Sequence, residues 1–145
     1  ITLLRRLTPE ARKNILLDIK SMPKDGASPS LRATIDTIST FCRAIIFETG
    51  MLSYMDFRQA FPKLHAVGFD VSEQRLSEEE LRPLFKKYVD HYSKAGLKTY
   101  NKSVENPRLV AFAAEASFTY ISGPVIQPPQ KTGVTVRKLA LAEIK

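Results

Sequence analysis

The clearest folding signal in this sequence is a helix start at Ser77. Ser77 can cap the first turn, three glutamates follow it, and Glu80 completes a capping box with the serine. Apolar residues then recur at three- and four-residue spacing, at Leu81, Leu84, Phe85 and Tyr88. The segment therefore predicts an amphipathic helix, and any fold of this chain must bury the apolar face of that helix.

The same helical period recurs in other segments. It predicts helices over about residues 9–20, 31–48, 53–64 and 107–120. The most regular apolar stripe lies in the second of these, at Ile35, Ile38, Phe41, Cys42, Ile45 and Ile46. No strand-like alternation of apolar and polar residues is sustained before residue 120. We therefore expect an all-α fold with a helical body.

Length and cysteine content narrow the class of protein. A chain of 145 residues suits one domain, and it contains no apolar run of about 18 residues that would span a bilayer. Cys42 is the single cysteine, which excludes an internal disulfide, and with two histidines it cannot build a Cys/His zinc site. We expect a reducing intracellular compartment and no transmembrane segment.

The chain is basic, with 22 lysines and arginines against 15 acids and a net charge of +7. The excess lies in residues 1–32, 86–108 and 131–145, whereas residues 33–85 are net acidic. Such an excess can bind polyanions, but no basic cluster here is interleaved with stacking aromatic residues. The charge fits a basic protein that meets acidic partners, with an RNA- or ribosome-associated subunit as the alternative.

The C-terminal segment differs in character from the rest of the chain. SGPVIQPPQKTGV, residues 122–134, contains three prolines and two glycines, which favour an extended path over a helix. We therefore divide the chain into an N-terminal helix and connector (residues 1–30), a helical body (31–121) and an extended strap (122–145). We expect the apolar and basic residues of the strap to dock on a partner.

Two segments share the order helix, short loop, apolar residue, capped helix. They are GMLSYMDFRQAF, residues 50–61, and FKKYVDHYSKAGLKTYNKSV, residues 85–104. This order resembles the EF-hand, with Leu52 and Leu97 at the eighth position of two twelve-residue loops and Gly50 at the sixth position of the first. Over about residues 31–105, the resemblance implies a pair of EF-hand-like helical units with a groove that accepts a partner's helix.

The loop chemistry argues against calcium. Calcium needs six to eight oxygen ligands, yet ligand positions of the first loop hold Ile45 and Phe47. The second loop holds Lys94 at a ligand position and ends in Asn101, which carries no charge. The resemblance therefore implies degenerate EF-hands that do not bind calcium, and another small helical bundle stays open as the alternative.

No residue pattern indicates a reaction. The sequence contains no recognisable set of nucleophile, base and oxyanion donors, and His65 and His91 lack the spacing of metal ligands. We expect no catalytic residue, no metal, no cofactor and no enzymatic activity. The predicted partner-binding residues are Phe47, Phe61, Val125, Ile126, Arg137, Leu139 and Leu141.

Together these observations predict a non-catalytic structural or scaffold subunit of a larger intracellular assembly. A mitochondrial complex fits the basic composition, and a cytoplasmic or cytoskeletal assembly is the other expected location. Other protein subunits are the expected partners, bound through the helical groove and the C-terminal strap.

Overall fold

A five-stranded parallel sheet forms the centre of the protein. The computed structural model describes residues 2–20, 28–51, 61 and 64–127. The strands are β1 (Leu16–Ile19), β2 (Ala44–Glu48), β3 (Leu64–Asp70), β4 (Lys98–Lys102) and β5 (Tyr120–Ile121). They are hydrogen-bonded in chain order, and every neighbouring pair is parallel.

Helices connect most of these strands. Two short helices, α1 (Thr2–Arg5) and α2 (Pro9–Arg12), precede β1. The longer helices are α3 (Pro29–Ser39) between β1 and β2, α4 (Glu78–Lys94) between β3 and β4, and α5 (Pro107–Glu115) between β4 and β5. Parallel strands need such crossovers, and crossovers are almost always right-handed. The strands lie side by side in chain order, so each crossover moves in the same direction along the sheet. Right-handed crossovers therefore place the connecting helices on the same face.

The hydrophobic core lies between the sheet and these helices. Phe69 on β3 lies at the centre, with its ring centroid 5.7 Å from that of Phe85 on α4 and 5.8 Å from that of Phe118. The buried residues of α4 are Leu81, Phe85, Tyr88, Val89 and Tyr92. The apolar face that follows Ser77 in the sequence thus packs on the sheet, where it covers β3.

The predicted fold class, an all-α EF-hand-like helical bundle, is wrong, because the structure is an α/β fold. Residues 31–48 do not form one helix: α3 ends at Ser39, and β2 follows at Ala44–Glu48. A strand buried on both faces has a continuous apolar run, which a helical stripe can also contain. Of the predicted first helix, residues 9–12 form α2 from Pro9 as expected, but residues 16–19 form β1.

Two further helix starts are confirmed. The Ser77 backbone N–H donates a hydrogen bond to Glu80 Oε2 at 2.8 Å, and α4 runs from Glu78 to Lys94. The predicted fifth helix begins at Pro107 as expected, but it ends at Glu115, and Tyr120–Ile121 forms β5. Both starts depend on side chains within one turn of the helix, which the sequence displays directly.

The remaining sequence predictions fall partly outside the described residues. Most of the predicted helix 53–64 lies there, although Leu64 begins β3. Of the predicted loops, Ile45–Glu48 belongs to β2, and residues 90–101 are divided between α4 and β4. Among the described residues, no helix is both long enough and apolar enough to cross a bilayer.

The strap that the sequence predicts from residue 122 begins against the core. Val125 and Ile126 are half-buried and pack on the core, and the N–H groups of Ile126 and Gln127 donate to Gly123 O. Residues 128–145 lie outside the described part of the chain.

Truncating Phe85 tests the core. Phe85 is fully buried against Phe69 and Phe118, so Phe85→Ala is expected to lower the free energy of unfolding by about 3–5 kcal/mol. Leu76 is exposed, and the matched variant Leu76→Ala should cost less than about 1 kcal/mol. Denaturant unfolding followed by circular dichroism measures both values, and equal small losses would show that the α4 face is misplaced.

Candidate functional site

The face of the sheet opposite the helices is polar towards the carboxyl ends of the strands. Five side chains from four consecutive strands lie there: Asp18, Glu48, Asp70, Tyr100 and Lys102. We call this group the carboxyl-edge cluster. Parallel α/β proteins place their functional residues at or beyond the carboxyl ends of the strands. This cluster is therefore the first candidate for a functional site.

Lys102 lies at the centre of the cluster. Its Nζ contacts Glu48 Oε2 directly, and it lies 3.9 Å from Asp18 Oδ2 and 4.0 Å from Asp70 Oδ2. The side chains of Lys102 and Glu48 are only 19% and 11% exposed, so solvent screens their attraction less than it screens a surface pair. One ammonium group thus bridges carboxylates from three different strands.

The surroundings hold Lys102 and Asp70 in their charged forms. Burial alone would lower the pKa of Lys102, but the hydrogen bond and charge of Glu48, with the charge of Asp18, raise it above its usual value. Burial alone would raise the pKa of Asp70, but hydrogen bonds from Ser72 and Ser103 lower it. The ion pair is therefore present across the neutral pH range.

Tyr100 lies deeper in the cluster. Its hydroxyl donates to Asp18 Oδ1 at 3.2 Å, and burial, followed by the charges of Asp18 and Glu48, raises the pKa of Tyr100 far above its usual value. The ring covers Gly68 of the neighbouring strand, where an added Cβ would lie 2.3 Å from Tyr100 Cγ. Only glycine at position 68 therefore leaves room for the tyrosine.

The contacts of Tyr100 and Lys102 require a curved sheet. Both residues lie on β4 and reach Asp18 on β1, three strand spacings away. In a flat sheet that separation is about 14 Å, which a tyrosine and an aspartate side chain cannot bridge with one hydrogen bond. The polar face is therefore concave, and the cluster lies inside the curve.

The backbone after β4 also serves the cluster. Ser103 directly follows Lys102 and has a φ of 60°, in the left-handed region that residues other than glycine seldom adopt. Its hydroxyl donates to Asp70 Oδ2 at 2.8 Å, while Asp70 Oδ1 accepts from the Ser72 N–H at 3.0 Å. The Asp70 carboxylate thus accepts hydrogen bonds both from the turn after β3 and from the residue that follows β4.

A second polar group lies at the amino ends of the strands. It comprises His65, Lys98 and Tyr120, and we call it the amino-edge cluster. His65 Nε2 lies 3.1 Å from Tyr120 Oη, and Lys98 Nζ donates to the same oxygen at 3.3 Å. Pairing between β2 and β3 shifts from Ile45↔Leu64 to Ile46↔Ala66, so His65 is the extra residue of a bulge.

The structure describes four of the seven predicted partner-binding residues. Phe47 and Phe61 are core residues, 0% and 2% exposed, with ring centroids 5.0 Å apart. Val125 and Ile126 are half-buried on the core. The other three, Arg137, Leu139 and Leu141, lie outside the described residues.

Sequence reasoning missed both clusters. Asp18, Glu48 and Asp70 each stand at or near the end of an apolar run, in LLDI, AIIFE and VGFD. An acid that closes a short apolar run is a usable signal for the carboxyl end of a buried parallel strand. That signal was hidden because the runs at LLDI and AIIFE were assigned to helices.

The described residues offer no metal centre. Within them, no group of three or more His, Cys, Asp or Glu side chains is arranged to hold a metal ion. The three carboxylates of the carboxyl-edge cluster converge on the Lys102 ammonium instead. No family model and no curated protein matches the chain.

Replacing Lys102 tests the ion-pair network. Lys102→Met leaves three carboxylates close together, so the free energy of unfolding at pH 7 should fall by about 1–3 kcal/mol, less than for a fully buried pair because the site is partly exposed. The matched variant Lys86→Met removes an exposed pair with Asp90 and should cost less than about 0.5 kcal/mol.

The pH dependence of stability in the same variant tests the contribution of Asp70 to the free energy of unfolding. The pKa of Asp70 in the folded protein is below its usual 3.8, so its contribution is present above about that pH and is lost as the pH falls further. Lys102→Met removes only the charge of Lys102, the smallest of the influences that lower this pKa, and keeps the hydrogen bonds from Ser72 and Ser103. Urea unfolding between pH 3 and pH 7 should therefore show both proteins losing stability below about pH 4, with a slightly smaller loss in the variant, and a variant that loses none would contradict the assignment.

Proposed function

We propose that this chain is a non-catalytic interaction subunit of a larger protein assembly. In this proposal the carboxyl-edge cluster holds the sheet in its curved form and performs no reaction. The observation that carries the proposal is the position of Lys102, whose ammonium group lies among Asp18, Glu48 and Asp70. At the edge of the sheet where α/β enzymes place reactive groups, the charges are thus paired with one another.

The direction of the pKa shifts supports this proposal. A general acid or base works best with a pKa near the working pH. In the carboxyl-edge cluster, the pKa of Asp70 is lowered from 3.8, whereas those of Lys102 and Tyr100 are raised from 10.5 and 10.0. Each shift moves the pKa of its group further from pH 7. The cluster is therefore suited to a fixed electrostatic role and poorly suited to proton transfer.

Partner binding is assigned to the C-terminal strap. The groove between paired helices that the sequence predicts depends on an all-α fold, which the parallel sheet contradicts. Because Val125 and Ile126 already pack on the core, the partner-binding part begins after Gln127 and contains Arg137, Leu139 and Leu141. Its prolines would limit the entropy lost on docking. A mitochondrial or cytoplasmic assembly is the proposed setting.

Deleting residues 128–145 tests this assignment. Because the deletion leaves β5 and the packed turn at Gly123–Gln127 intact, the truncated chain should keep its circular dichroism and melt within about 5 °C of the full chain. The full chain, purified from its own cells, should elute with a stoichiometric protein partner that the truncated chain fails to retain. Lys86→Met serves as the matched surface control and should retain the partner.

Two results would contradict the proposal. Unfolding of the truncated chain would place the strap in the core, and retention of the partner without the strap would move the binding surface elsewhere. Loss of the partner on ribonuclease treatment would instead favour the alternative, a basic RNA- or ribosome-associated subunit, which the net charge of +7 supports.

A further inference from the structure

Pairing between β1 and β2 brings together three basic residues from two parts of the chain. The Arg43 N–H, directly before β2, donates to Ile15 O, directly before β1, at 2.8 Å. Arg43 therefore lies beside the short segment that links α2 to β1. Arg12 ends α2 and Lys13 follows it, and both residues line one surface groove together with Arg43. We call this groove the basic groove.

The described residues do not neutralise the positive charges of the basic groove. Among them, no acid lines the groove, and neither Arg12, Lys13 nor Arg43 forms a salt bridge. Lys102, in contrast, lies among three carboxylates of the carboxyl-edge cluster. Lys13 and Arg43 are also exposed, so an external anion can reach both of them.

Packing holds the third cation, Arg12, in place. Its Nη2 donates to Arg5 O at 3.1 Å, and its guanidinium carbon lies 4.9 Å from the centroid of the Phe41 ring. Its Nε is buried and has no hydrogen-bond partner among the described residues. The guanidinium thus keeps unused donors although its position is already fixed, so it loses little conformational entropy when it meets an acceptor.

The lining of the basic groove favours carboxylates over a nucleic acid. None of the described residues that line it is aromatic, and Arg12 covers a face of the neighbouring Phe41 ring. The groove therefore lacks the stacking surface on which single-stranded nucleic acids place their bases. Asn14 and Thr40 add neutral polar groups to the lining. The volume of the groove is about 650 Å³, within the range of sites that hold a ligand larger than a single ion.

We propose that the basic groove binds an acidic segment of a partner protein, whose Asp or Glu carboxylates pair with Arg12, Lys13 and Arg43. The planar fork of arginine matches a carboxylate, and lysine adds a point charge. Complementary charge also speeds the encounter of two proteins. This inference rests on the proposed role of the chain as an interaction subunit, but it uses residues outside the strap. Deleting residues 128–145 tests that role and leaves the groove residues unchanged, so either proposal can fail alone.

A fluorescently labelled hexaglutamate peptide is the probe for the full-length chain. Fluorescence anisotropy should show saturable binding that weakens as sodium chloride rises from about 50 to 300 mM, because salt screens exposed charges. Lys13→Gln and Arg43→Gln should each weaken binding about two- to fivefold, and the double variant about tenfold. Lys86→Gln removes the same charge outside the groove and should change the affinity less than about 1.5-fold.

The thiol of Cys42 reports where the peptide binds. Cys42 lines the basic groove and is the single cysteine of the chain, so its alkylation by the neutral reagent iodoacetamide measures access to the groove. A saturating concentration of hexaglutamate should slow this alkylation severalfold. In the Lys13→Gln, Arg43→Gln double variant, the same peptide concentration should protect the thiol much less.

Four results would overturn the proposal. Absence of saturable binding at low salt would remove the site. Equal losses from Lys86→Gln and from the groove variants would mean that only the net charge of the chain attracts the peptide. Unchanged alkylation of Cys42 with the peptide bound would place the peptide elsewhere. Tighter binding of a hexauridylate than of hexaglutamate, with protection of Cys42, would favour a nucleic-acid surface in its place.

Discussion

One ion-pair network joins four strands of the curved parallel sheet. Lys102 on β4 contacts carboxylates of β1, β2 and β3, so one side chain links strands that lie far apart in the sequence. These contacts require curvature, and the curvature in turn makes room for Tyr100 over Gly68. The helix-covered core stabilises the opposite face. Together, the core and the network account for a sheet that is apolar on one side and ionic at one end of the other.

The two edges of the sheet differ in how far their charges are paired. At the carboxyl edge, the acids of three strands share the Lys102 ammonium, and Asp70 also accepts hydrogen bonds from Ser72 and Ser103. At the amino edge, Arg43 and Lys98 form no salt bridge with the described residues. Crossover helices run opposite to the strands, so their positive ends face the acids and their negative ends face the bases. Helix dipoles therefore support both arrangements.

Sequence patterns predicted part of this structure. They located the starts of α4 and α5 and the apolar face of α4, but they assigned β1 and β2 to helices because a short apolar run fits a strand and a helix alike. They did not find Lys102 as a site residue, because nothing near it in the chain shows which carboxylates it meets. His65 was noted only as an isolated histidine, and its proximity to Lys98 and Tyr120 arises from the order of the strands.

The sequence by itself determined the local features of this protein. The start at Ser77 was readable because the cap and its partner lie within one helical turn. The tertiary structure alone decided the sheet and both clusters, because their contacts join residues that are distant in the chain. Tyr100 and Asp18 are 82 positions apart, and Lys102 and Glu48 are 54. Pairings at such separations depend on strand order and curvature, which become defined only when the whole sheet has assembled.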